Sequence, residues 1–220
     1  MRSSLPRLLS AALLCTGLAG GLPRPASAGD WGPIRVRGRS IEPGTKTKFP
    51  AVEERSFAAA FVNSPIFVAR GARAGHPLCI TAAIHGDEIN SIEIAYRVFD
   101  RIDPSRLSGT LVMLPMINAD GIRSGNRYMP DRRDLNRAFP GSQNGSVTSL
   151  VARAVFDLVV EHCRTLIDLH TGSFSRTNEP QIRVGTAVPR ALEVARRFGT
   201  GIIILGEGPK GSVLGSSVRP

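Results

Sequence analysis

Apolar and polar positions along this chain follow two rhythms. Leu78 to Ile84 is apolar on both faces, which predicts a buried parallel strand. From Glu88 to Ile102 the period changes. Ile89, Ile92, Tyr96, Phe99 and Ile102 recur at steps of three and four, so a helix with those residues inward is predicted. Asp103-Pro104 ends it, and Thr110 to Met116 reads as the next strand. Ser146 to His162 returns to helical period, with Val147, Leu150, Val151, Ala154 and Leu158 inward. Thr165 to Leu169 predicts a short buried strand; Gln181 to Thr186, Pro189 to Phe198 and Ile202 to Leu205 then predict strand, helix and strand. Upstream, Phe57 to Ala69 suggests two short strands or a hairpin around Asn63-Ser64-Pro65, and Gly71 to Pro77 a turn. Strands alternating with helices predict an α/β domain: three αβα layers around a central mixed, largely parallel sheet.

The stretch from Asn118 to Gly145 interrupts this alternation. It is polar and contains glycine, and a loop of that length in a compact domain usually carries function. In α/β sheets, ligands gather at the carboxyl ends of strands. His85, Asn118 and His170 each stand just past a predicted strand.

The amino terminus follows another pattern. Arg2 and Arg7 precede an apolar stretch from Leu8 to Leu22, and Ala26-Ser27-Ala28 has the small-x-small form of a signal peptidase site. We expect residues 1–28 to be a signal peptide, 29–50 a lead-in segment and 51–220 the main folded domain. The apolar stretch is short for a membrane span, so export to the periplasm or beyond is expected, without stable membrane insertion. Cys79 and Cys163 would remain after cleavage. In an oxidising compartment they can pair if their strands are neighbours; the alternative is two buried, reduced thiols.

The net charge is +10, but the basic residues are scattered and only Lys46, Lys48 and Lys210 are lysines. Scattered arginine does not make the continuous basic face that nucleic acid requires. At 42% hydrophobic and 21% charged, the composition is that of an ordinary globular domain.

The candidate chemistry lies in two places. His85 and Glu88 offer two metal ligands from one strand-to-helix turn, and His170 offers a third from another strand. Two histidines and a carboxylate are a common ligand set in zinc hydrolases, which leave one position open. The long loop carries Arg127, Asp134, Asn136 and Arg137. Arginine forks suit a carboxylate or a developing oxyanion, and Asp134 could accept from the far nitrogen of a bound histidine.

His85-Gly-Asp-Glu88, Asp134-Leu-Asn-Arg137 with Phe139-Pro-Gly141, and Ile167-Asp-Leu-His170-Thr-Gly172 occur in that order. Together they resemble the succinylglutamate desuccinylase/aspartoacylase family, a branch of the zinc carboxypeptidase-like fold, over roughly Pro43 to Leu205. The resemblance implies one zinc ion held by His85, Glu88 and His170. It implies that Arg127 polarises the scissile carbonyl, that Asn136 and Arg137 hold the substrate carboxylate, and that Asp134 supports His85.

Such families place the general base on a glutamate well after the second histidine. The acids after His170 are Glu179, Glu193 and Glu207, and Glu207 comes early for that role. We therefore expect the base, and the last elements of the fold, to lie beyond residue 220. The expected function is zinc-dependent hydrolysis of the amide bond of an N-acyl amino acid or similar small carboxylate. The alternatives are a carboxypeptidase or amidase acting on peptides, murein peptides included, and a non-catalytic zinc-binding fragment. Acyl group, amino acid and oligomeric state are not specified by the sequence.

Overall fold

The computed structural model describes residues 31–51, 64–186 and 189–213, together with the backbone of a strand at 10–15. Its centre is an eight-stranded mixed sheet in the order β10-β9-β1-β8-β6-β7-β5-β4. In chain order the main-sheet strands are β1 (Ser10–Cys15), β4 (Thr45–Pro50), β5 (Pro65–Arg70), β6 (Arg73–Ala82), β7 (Ser108–Leu114), β8 (Thr165–His170), β9 (Gln181–Val184) and β10 (Ile202–Leu205). A two-stranded sheet, β2 (Ile34–Val36) and β3 (Arg39–Ile41), lies apart. The heart of the main sheet, β8-β6-β7, is parallel, and β5 and β4 continue it antiparallel.

Strand period divides the core in two. Ile66, Val68, Cys79, Val112, Leu114 and Leu166 face helix α3 (Val147–His162). Phe67, Ala69, Ile80, Ala82, Leu111, Met113, Ile167 and Leu169 face the other way, toward α1 (Asn90–Arg101) and α4 (Pro189–Arg197). This alternation makes the three layers, because each strand carries apolar residues of both parities.

Several expected boundaries move. β6 begins at Arg73, so part of the expected turn at 71–77 is strand, with a register shift against β7 between Arg73 and Pro77. α1 buries Ser91, Ala95 and Phe99, while Ile89, expected inward, is 58% exposed. The stripe is rotated because Ala95 and Ser91 allow close approach to the sheet where larger residues would not. In α3 the buried apolar positions are Val151, Ala152, Val155, Leu158 and Val159, rather than Leu150 and Ala154. The expected strand or hairpin at Phe57–Ala69 is seen as β5 only; the rest lies outside the described residues. The lead-in carries β2, β3 and the edge strand β4. Trp31 anchors it by donating to the Gly71 carbonyl at 2.8 Å and stacking on the Arg70 guanidinium. Ser10–Cys15, inside the expected signal peptide, runs antiparallel to β8 and parallel to β9.

Cys79 and Cys163 form a disulfide, with Cα atoms 5.6 Å apart. It joins β6 to the residue that caps α3, so the strands leading to His85 and His170 are covalently tied upstream. β10, at the far edge, exposes Ile202, Ile204 and Leu205. An apolar edge left uncovered among the described residues invites pairing with another chain.

Candidate metal centre

Two strand ends deliver the ligands. After Ala82 the chain turns through Ala83, whose φ of 51° is rare for a residue with a side chain. Buried Ile84 follows, and then His85. The Ala83 amide donates to the Ser91 hydroxyl, which donates to the Glu88 carbonyl at 2.6 Å. Gly86 has no room for a side chain, since a Cβ there would lie 2.0 Å from the Gly121 backbone. The neighbour is α2 (Ala119–Ser124), capped by Asn118, whose Oδ1 accepts from the Gly121 amide. Asn118 is fully buried, and its Nδ2 donates to the Arg127 carbonyl, which joins the His85 turn to the long loop.

His85, Glu88 and His170 meet with one ligand atom from each, all within 4.8 Å of one another. His85 Nδ1 lies 2.7 Å from Glu88 Oε1, and His170 Nδ1 lies 2.9 Å from Glu88 Oε2. The far nitrogens face carboxylates too: His85 Nε2 to Asp134 at 3.2 Å, His170 Nε2 to Asp168 at 2.8 Å. Each ring therefore sits between two acceptors, yet a neutral imidazole carries only one N–H. A cation beside Glu88 resolves the shortage, because each Nε2–H then points outward and each Nδ1 lone pair inward. The donor set fits zinc, with Asp134 and Asp168 fixing the tautomers.

In the metal-free chain the shortage is met by protonation, which shows how strongly the cluster favours positive charge. Burial alone would raise the Glu88 carboxyl, but hydrogen bonds from His170 and His85 hold it well below the usual carboxylate range. Asp134 is held low in the same way, burial being outweighed by His85 and Arg127. Burial alone would lower His170, but Asp168 and Glu88 override it and raise its pKa to about 10.

Arg127 completes the cluster. Its guanidinium donates to Ser173 Oγ at 2.7 Å and to Asp134 Oδ2 at 2.9 Å, and it lies 3.7 Å from Glu88. Arg123, Arg132 and Arg133, in the same loop, are exposed. Asn136 follows Asp134 in a single 3-10 turn; its amide donates to Asp134 Oδ1 and its side-chain oxygen accepts from the Val213 amide. Arg137 is exposed and donates to the Asn136 carbonyl. These two therefore stand one turn beyond Asp134, joined to the cluster through it.

Three members of the site went unnoticed in the sequence. Asp168 precedes His170 by two residues, so strand period places both on one face, and that signal was available. Asp87 reads as a helix N-terminal acid, but its carboxylate accepts from Ser173 Oγ and the Phe174 amide. Ser173 is buried and also lies 2.9 Å from Glu88; no sequence pattern distinguishes it. It stands on a tight loop, where a Cβ on Gly172 would lie 1.9 Å from the Arg176 carbonyl and Phe174 and Ser175 have positive φ. Beside this loop is a 520 Å³ pocket lined by Asp87, Ile89, Asn126, Arg127, Phe174 and Arg176, among others. The late acids lie elsewhere: Glu207 bonds Thr186, Glu193 pairs with Arg197, and Glu179 is exposed in a loop.

The profile of the succinylglutamate desuccinylase/aspartoacylase catalytic domain matches residues 74–219. The chain belongs to this family. An N-alpha-acetyl-L-2,4-diaminobutyric acid deacetylase of Halomonas elongata is 29% identical over 164 residues, covering 72% of this chain and 47% of that protein. The solved succinylglutamate desuccinylase/aspartoacylase of Rhodobacter sphaeroides superposes with a TM-score of 0.62 at 27% identity, over 71% of this chain and 48% of its own. The product-bound ectoine utilization protein EutE of Ruegeria pomeroyi shares the fold, with a TM-score of 0.55 at 18% identity, over 84% of this chain and 58% of its own. The chain thus spans about half the length of the relatives it matches. Its expected α/β architecture is the one observed. The family's members are hydrolases of the deacylase type.

Proposed function

We propose that the protein is an exported, zinc-dependent deacylase that hydrolyses the amide bond of a small N-acyl amino acid. The observation that carries this reading is the largely buried His85–Glu88–His170 cluster, with both far nitrogens already held by carboxylates and Arg127 alongside. Zinc held by those three residues would supply a Lewis acid and lower the pKa of water enough for attack near neutral pH.

The chain's own residues position the substrate and stabilise charge. Arg127 faces the pocket as well as the cluster, so its fork can accept charge developing on a carbonyl oxygen. Ser173 and Asp134 hold that fork in place. Asn136 and Arg137 would grip the substrate's carboxylate from the adjoining turn. The pocket's volume suits a small acylated amino acid. The acetylated diaminobutyrate named for the Halomonas relative is such a molecule. The disulfide supports export, since such bonds persist in oxidising compartments.

The test is to load the chain with zinc, count metal per chain, and assay N-acetyl and N-succinyl amino acids beside murein tripeptide. One zinc per chain is expected, and release of free amine from the N-acyl amino acids would support the deacylase reading. Cleavage confined to peptides would favour the amidase reading. Stoichiometric zinc without turnover of any substrate would favour a non-catalytic binder.

A further inference from the structure

Asp168 has two oxygens, and each has a different partner. Oδ2 faces His170 Nε2 at 2.8 Å, while Oδ1 accepts from the Thr81 hydroxyl at 2.7 Å. Thr81 and Asp168 are direct cross-strand partners in the β6–β8 ladder, and each is 1% exposed. On β8, the alternate positions Leu166, Asp168 and His170 share one face by strand period. Thr81 stands on β6, four residues before His85. One strand therefore delivers one ligand and also reaches across to orient the other.

We propose that Thr81 is a positioning residue for the metal centre, acting through Asp168 on the imidazole of His170; this rests on the metal reading above. A carboxylate on a short side chain is free to rotate about its last bond. Pinning Oδ1 fixes that rotation and so fixes where Oδ2 points. The Nε2–H must follow Oδ2, which leaves the Nδ1 lone pair on the Glu88 side, free for the cation that the site would hold there. Without the hydroxyl, Oδ1 would be a buried acceptor with no donor. It would then turn to seek one and carry the ring with it. Threonine suits this post because its β-branched shape belongs in a strand, while its hydroxyl serves the site.

Thr81→Val keeps the shape and removes the donor; Thr81→Ser keeps the donor. Zinc affinity is read by chelator competition and ligand geometry by the visible absorption of the cobalt(II) form, neither of which requires turnover. Thr81→Val should weaken zinc binding roughly tenfold, as losses of outer hydrogen-bond partners do. Thr81→Ser should restore affinity to within about twofold of the parent. In an Asp168→Asn background the valine substitution should have no further effect, because the two act in series. Parental affinity in Thr81→Val, or an undiminished effect beside Asp168→Asn, would overturn the proposal. If the valine variant is not recovered folded, Thr81→Ala enters the same cycle. His170→Ala is the control for the underlying reading: full zinc retention there would refute the metal centre itself, whatever Thr81 does.

Discussion

Reducing the Cys79–Cys163 disulfide tests how the site is held. The bond closes a separation of 84 residues that includes α1, β7, the long loop and α3. The chain-entropy relation for a loop of that size gives about 4.6 kcal/mol of stabilisation at 25 °C. For a domain of this length, that corresponds to a fall in Tm of about 10–15 °C on reduction. The assay is equilibrium urea unfolding of the oxidised chain and of the chain kept in reductant, followed by near-UV circular dichroism. Alkylation of the mature chain in denaturant fixes the redox state: without reductant neither Cys79 nor Cys163 should be labelled, and with reductant both. A stability difference below about 1 kcal/mol would refute the loop-closure reasoning. Labelling of Cys79 and Cys163 without reductant would refute the bond. Since the tie lies upstream of both histidines, zinc affinity should fall on reduction as well.

Other outcomes follow from the cluster. His85→Ala and His170→Ala should each abolish stoichiometric zinc, measured by atomic absorption, and unchanged content in both would show the ligands misassigned. Asp134→Asn removes the charge that both His85 and Arg127 face, and zinc affinity by chelator competition should fall about 10- to 100-fold. The pH dependence has a definite sign. In metal-free protein His170 is raised from 6.5 to about 10, so its stabilisation is full below pH 6.5 and is lost as pH climbs through about 10. Glu88 and Asp134 are depressed, so theirs is present above their ordinary values of 4.5 and 3.8 and is lost on further acidification. Thermal melts of the metal-free chain should therefore fall off at both extremes. Zinc held there as proposed would displace the His170 proton, so its affinity should rise with pH up to about 10, with proton release visible by calorimetry in buffers of different ionisation enthalpy.

Much of this was legible in the sequence because periodicity and strand-end chemistry are local. The run from Leu78 to Ile84 marked a buried strand, and the histidines at 85 and 170 stood where α/β sheets keep their ligands. Asp134 and Arg127 emerged because a long polar loop in a compact domain needs a reason. Ile89 was misplaced because periodicity reports a stripe but not how closely the helix approaches the sheet, which Ser91 and Ala95 decide. Ser173 and Asp87 stayed hidden because their partnership spans 86 positions, and nothing local announces it. Thr81 looks like any β-branched strand residue until its cross-strand partner is known.

The placement of the lysines carries a practical consequence. Lys46 Nζ donates to the carbonyls of Phe99, Asp100 and Ile102 and so closes the end of α1, and Lys48 pairs with Asp100 at 2.8 Å. Lys210 is exposed and, among the described residues, makes neither kind of contact. Amine-reactive dyes and surface-coupling reagents should therefore attach first at Lys210 and at the amino terminus. Lys210 lies three residues before Val213, whose amide holds Asn136. A fluorophore placed there would sit next to the turn assigned to the substrate carboxylate and could report its occupancy without touching a metal ligand.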